Sequence, residues 1–437
     1  MSEAGRDRPV WPPFVLAAFA VALTAGFGAG AALFAASGLG TAAGRWWPAV
    51  AQVHGHCQLF GWAGLAVLGV GFHFLPRLRG APLAHPGAPR AVLWLIVGGL
   101  VARMAAQPAL AAGAPEPGVG GWQVLLVAGG LAELAGASVA LALLWRTLRN
   151  GPPLGPRAGL RGVLPFLVAA FGGLWLALAV NVAGVWGAGG GVVDGRLDRL
   201  TVELAFYLFL VPVAVAMSAR TFPLYFRTPP PAVAPLRAGL ACLVAGLAAR
   251  VTGELAGAAP VAALGRLGLA AALGCFVAAL GVFAPARPVP RGALPLRRDP
   301  LRLHALSAYG WLVAAALLLL DNAATLIGAP AVSPDAERHA LGAGFVTLLI
   351  LGVAARMLPG FARRPLRAVA LVWATLALGN LAALLRVVPL LLTLPAGARD
   401  AALAAAGVLD LLAILALAVN LAVWRGPWGV GRESVGA

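Results

Sequence analysis

Twelve apolar runs of about twenty residues or more follow one another along this chain, each long enough to cross a hydrocarbon core as a helix. They lie near 12–37, 51–76, 90–113, 121–146, 162–187, 201–226, 236–258, 260–284, 303–329, 338–360, 367–394 and 400–424. A lipid-embedded segment must satisfy its backbone hydrogen bonds internally, so successive spans of this kind build a helical bundle. The composition agrees. Of 437 residues, 61% are hydrophobic and 11% charged, where a soluble domain carries about 25% charged residues. The expected fold class is an all-α polytopic membrane protein of about twelve transmembrane helices, one domain over 1–437. Arg6 and Arg8 precede the first span, as in a signal peptide, but its apolar stretch is too long for one and it is read as a span.

The formal net charge of +17 is read as topology. All 32 basic residues are arginine, and they cluster in alternate loops. The clusters are Arg77, Arg79 and Arg90; Arg146, Arg149, Arg157 and Arg161; Arg220, Arg227 and Arg237; Arg287, Arg291, Arg297, Arg298 and Arg302; and Arg356, Arg363, Arg364 and Arg367. The intervening loops balance Arg with acids, as in "DGRLDR" and "SPDAER". By the positive-inside rule, both termini are expected in the cytoplasm. Cys57, Cys242 and Cys275 form no CxxC pair, so neither a disulfide framework nor a zinc site is expected.

The chain repeats itself three times. The second, sixth and tenth spans end alike, in "GVGFHFLPRL", "VAMSARTFPLYF" and "GVAARMLPGF". Twenty residues before Pro76, Pro223 and Pro359 stand His56, Glu203 and His339; 27 residues after them stand Arg103, Arg250 and Arg386. Several offsets shared without a gap point to three copies of a four-helix unit, near 12–146, 162–284 and 303–424. Parallel repeats imply a pseudo-threefold axis along the membrane normal.

The repeat separates two histidines that stand two positions apart in "VHGHCQLFGW". On a regular helix, His54 and His56 point about 200° from each other. His56 shares its repeat position with His339, and histidines at matching depth suit the two axial ligands of a haem iron; imidazole also ligates copper. Hydrogen-bonded interfacial histidines are the plainer alternative. His54 is open to a second metal, a haem propionate or a helix-start role. His56 and His73 lie about 25 Å apart along one helix and cannot share a site. His73 and His304 are an alternative inner site, and His85 is a loop residue. The deep Arg103, Arg250 and Arg386 each need a counter-charge, with Glu133, Glu254, Asp321 and Asp410 as candidates, or else carboxylates such as haem propionates. No nucleotide-binding, Ser/His/Asp or calcium-loop motif is present, and nothing suggests nucleic acid.

Together, "HGHCQLFGWAG" at 54–64, "ARTFPLYF" at 219–226 and "RHALGAGFVTLLILGVAARMLPG" at 338–360 resemble the NnrS family, over nearly the whole chain. The resemblance implies a bacterial inner-membrane protein that binds haem and copper and acts in the response to nitric oxide. It carries His54 and His56 onto the family's H-x-H and His339 onto the histidine opening its tenth helix. Cys57 stands where the family commonly has Glu, and Pro359-Gly360-Phe361 where it often has Gly-His. The chain is also distantly similar to the catalytic subunit of haem–copper oxidases and nitric oxide reductases, which implies a low-spin haem between helices two and ten. The histidines of their copper centre are missing here, so a binuclear centre is not expected. The expected site residues are therefore His56, His339 and His54, with Arg103 and Arg386 toward the cofactor. The expected partners are the lipid bilayer and an electron donor or small gas such as nitric oxide. A membrane oxidoreductase and a secondary transporter are the competing functions.

Overall fold

The computed structural model of the chain describes residues 9–38, 44, 46–113, 118–153, 159–288 and 299–423. Arg6 and Arg8, named above for the first span, and Arg157, Arg291, Arg297 and Arg298, used for topology, lie outside them, as does the last residue of the third repeat. Among the described residues, twelve helices are long and apolar enough to cross a membrane. They are α1 (Trp11–Ala36), α2 (Trp46–Arg79), α3 (Ala88–Ala111), α4 (Gly120–Arg149), α5 (Gly162–Trp186) and α6 (Gly195–Tyr225). Then follow α7 (Val233–Ala256), α8 (Ala259–Leu280), α9 (Pro300–Ile327), α10 (Pro334–Ala362), α11 (Val369–Leu390) and α12 (Gly397–Leu421). This is an all-α polytopic membrane protein.

Three helices start several residues earlier than hydropathy indicates: α2, α6 and α10. Two of these starts are capped by polar side chains. Asp194 accepts hydrogen bonds from the backbone N–H of Arg196 (2.9 Å) and Leu197 (3.3 Å) at the start of α6. Ser333 accepts one from Asp335 (3.3 Å) at the start of α10, with Pro334 in the first helical position. Such caps satisfy N–H groups that have no partner within the helix, and polar first turns are invisible to a hydropathy window.

The three copies assemble cyclically. Within each copy the third and fourth helices pack as a pair: α3 with α4, α7 with α8, α11 with α12. Between copies, α4 packs on α5, α8 on α9, and α12 on α1, which closes the ring. The central helices are α2, α6 and α10, whose most apolar windows are 67%, 72% and 72% buried, against 33–56% for the other nine. Each central helix is interrupted by a π-helical segment at nearly the same place: Cys57–Gly64, Ala205–Leu210 and Ala340–Thr347. The segments begin one or two residues after His56, Glu203 and His339, the residues at the shared repeat position. π segments are uncommon and concentrate at functional sites.

Close helix pairs rest on glycine. In lipid there is little hydrophobic drive between helices, so small residues that permit close backbone approach do the packing. A Cβ added at Gly265 in α8 would lie 2.2 Å from the backbone N of Arg250 in α7. One added at Gly99 in α3 would lie 2.5 Å from the carbonyl O of Gly129 in α4. Gly265→Leu is therefore expected to destabilise the protein by about 1–3 kcal/mol or more through overpacking. Gly98→Ala, where a Cβ meets nothing within 4 Å, should leave stability unchanged or raise it. Thermal unfolding in detergent checks both.

Candidate functional site

A cavity of about 780 Å³ opens at the end of the bundle where α2, α6 and α10 begin, opposite their repeat prolines. His54, His56 and His339 all line it, together with Arg103 and Arg386. His54 and His56 approach from different sides. The ring of His54 sits against α1, where a Cβ on Gly30 would come within 2.7 Å of its Cε1. The ring of His56 faces α3 and α4.

Hydrogen bonding assigns the ring nitrogens. Nδ1 of His54 lies 2.8 Å from the carbonyl O of Gly26, in the π segment of α1. A carbonyl only accepts, so Nδ1 carries the proton and Nε2 keeps its lone pair. Nδ1 of His339 lies 2.8 Å from the carbonyl O of Asp335 and 3.2 Å from its carboxylate, which fixes the same tautomer. Neither Nε2 has a protein partner among the described residues. A histidine whose far nitrogen donates to a carbonyl or carboxylate is in the form that metal-ligating histidines take.

His56 differs. Its Nε2 lies 2.6 Å from Oε2 of Glu133, and its Nδ1 lies 3.1 Å from Nη1 of Arg103. A guanidinium only donates, so Nδ1 accepts and Nε2–H donates to Glu133. No lone pair remains for a metal. The repeat singles out His56 as a ligand, but this geometry leaves the free nitrogen to His54. The reason is Glu133 on α4, which takes His56 as its partner instead of serving as the counter-charge of Arg103. The network continues outward. Arg103 donates to Asn181 and to Gln107 (2.9 Å), Gln107 donates to Gln52 (2.8 Å), and Gln52 bonds the backbone N–H and C=O of Val193.

The second copy is closed. Arg250 pairs with Glu337 (2.7 Å), Glu203 (3.0 Å) and Glu254 (3.4 Å). Tyr207 donates to Glu337 at 2.6 Å. None of these residues lines the cavity. The third copy lies between these extremes. Arg386 donates to Asp335 at 2.5 Å and stacks over the Phe34 ring at 4.5 Å. Among the described residues its Nε and Nη1 are buried without a hydrogen-bond partner, as is Oδ1 of Asp410 on the same cavity wall. Glu203, Glu337 and Asp335 were missing from the counter-charge candidates; of those named, only Glu254 pairs with one of the three arginines, while Asp321 is exposed.

The remaining histidines have separate environments. His73 packs between the Trp11 and Phe361 rings, with centroids at 6.3 and 4.3 Å. His304 is bonded at both nitrogens, to the carbonyl O of Pro300 (2.7 Å) and to Thr375 (3.1 Å). His85 contacts Arg146 at 3.1 Å. Cys57 is buried and is not on the cavity wall.

Fold and site together define a helical membrane protein with a polar chamber at one end of its bundle. No protein-family model matches the chain, and no curated protein matches it.

The Arg103 network sets a stability test. Arg103→Met strips partners from His56, Asn181 and Gln107, all buried. Each buried group left unsatisfied costs about 1–3 kcal/mol, so the variant should unfold well below the wild type in a detergent melt. An unchanged melting temperature would show that the network contributes nothing.

Proposed function

We propose that the chain binds haem in the polar cavity, held between α2 and α10, and acts in the nitric-oxide response of a bacterial inner membrane with both termini cytoplasmic. The observation that carries the haem reading is the pair of free Nε2 atoms, on His54 and His339, on the wall of one cavity. Two neutral imidazoles would hold a haem iron, and the macrocycle would supply its remaining ligands. A cavity of about 780 Å³ lies within the roughly 300–1,000 Å³ of small-molecule and cofactor sites. The unpartnered Nε and Nη1 of Arg386 suit a propionate carboxylate.

In this reading His54 and His339 would hold the iron, Arg386 would orient the group, and Arg103 would act through His56. The haem would supply an iron that passes single electrons, and nitric oxide would reach it only in place of one of the two imidazoles. A copper ion held by protein alone fits less well, because no cluster of three or more His, Cys, Asp or Glu placed for a metal occurs among the described residues. The nitric-oxide role rests on the motif resemblance to the NnrS family.

A second reading is a membrane oxidoreductase of nitrogen-oxide metabolism, drawing on an electron donor. What favours it is the buried Glu133–His56–Arg103 chain at the cavity wall, since reduction of a nitrogen oxide consumes protons and intramembrane ionisable chains serve as relays. Reductant-dependent loss of nitric oxide in proteoliposomes would distinguish the two.

Protein purified from haem-replete cells should show a bis-histidine haem spectrum. His54→Ala and His339→Ala should abolish it, whereas His56→Ala should keep bound haem in a less stable protein. A colourless preparation, or a spectrum indifferent to both His54 and His339, would overturn the reading.

A further inference from the structure

A second cavity, of about 160 Å³, lies among the central helices on the arginine-rich side of the polar one. Its wall follows the threefold repeat. Five residues before the repeat prolines stand Gly71, Ser218 and Ala354, all small and all on the wall; six before stand Val70, Met217 and Val353, also on the wall. Among the described lining residues, only Ser218 and Thr221 bring hydroxyls, and Thr221 donates to the carbonyl O of Met217 at 2.8 Å. Among the described residues, no ionisable side chain lines it.

Three side chains line both cavities: Trp62 from α2, Leu210 from α6 and Val346 from α10. They stand 13 or 14 residues before their prolines and within the three π segments. A partition with one apolar side chain from each copy thus separates a polar chamber from an apolar one. The wall stays open because small residues occupy a position where larger ones would fit. A Cβ added at Gly71 first meets Cζ of Phe171, at 3.8 Å, which is ordinary contact.

We propose that this inner cavity is a binding site for small uncharged apolar molecules of the gas class, adjoining the polar chamber through the Trp62–Leu210–Val346 partition. An apolar wall rejects ions and strongly polar solutes, because it offers them no compensating hydrogen bonds. An enclosed apolar cavity of about 150 Å³ takes up xenon or benzene, and this partly open one presents the same kind of lining. The role of the cavity as a store for a gas used next door rests on the function proposed above. Its existence as a site does not.

Xenon separates the two, since it bonds neither to imidazole nor to haem iron. Crystals of the full chain pressurised with xenon should show an anomalous peak between Gly71, Ser218 and Ala354. The peak should vanish in Gly71→Leu, which fills the space from a position that accepts a side chain; Ala354→Val is the smaller filling variant should the first not fold. Wild-type crystals without a peak, a lipid or detergent chain occupying the cavity, or a peak that persists in the filled variant would each overturn the proposal.

Discussion

A guanidinium inside an apolar bundle has to be satisfied by other side chains, and this chain faces that requirement three times. Arg103, Arg250 and Arg386 stand at one repeat position and are all buried. An unpaired charge at such depth is costly, so each arginine ties the third helix of its copy to polar groups on other helices. Arg103 binds a neutral imidazole and two side-chain amides. Arg250 binds two buried carboxylates, one from its own central helix and one from α10. Arg386 binds one aspartate and leaves two donors free. The scaffold is threefold, but the way each arginine is satisfied is not, and that difference creates the site.

The consequence is a chamber with unlike walls. Copy two contributes a closed ionic cluster that keeps α6, α7 and α10 together and stays off the cavity. Copies one and three contribute histidines to the cavity wall. On the α2 side, Glu133 and Arg103 occupy both nitrogens of His56, which turns it into a link between α3 and α4. His54, set two residues earlier, rests on the π segment of α1, lines the cavity, and has no partner at Nε2 among the described residues. Copy three repeats that arrangement in His339, held by its own Asp335. The pair with available nitrogens is therefore formed by residues that are not at matching repeat positions.

Much of the fold was legible in the sequence because apolar runs of span length leave few alternatives in lipid. The twelve helices fall within a few residues of the runs, except where polar caps such as Asp194 and Ser333 extend α6 and α10 outward. The recurrence of His56, Glu203 and His339 marked the depth of the chamber, and two of the three arginines, Arg103 and Arg386, stand on its wall. Which of His54 and His56 keeps an unpartnered ring nitrogen was not legible. Repeat position reports depth, whereas ligand availability depends on which nitrogen another helix has taken, and nothing near His56 in sequence announces Glu133, 77 residues away. The π segments were equally hidden, since their turns carry no residue pattern distinct from the flanking helix. The opposite directions of His54 and His56 on a regular helix were also a poor guide, because the chamber is wide enough to take both.

The proposed haem would sit in the polar chamber on His54 and His339, while His56 stays bound to Glu133 and Arg103. A cryo-electron microscopy map of the protein purified from haem-replete cells tests it most directly. The account predicts planar density in the chamber, continuous with both the His54 and His339 rings, with a carboxylate near Arg386. A chamber without such density, or density joined to His56 with Glu133 displaced, would contradict it.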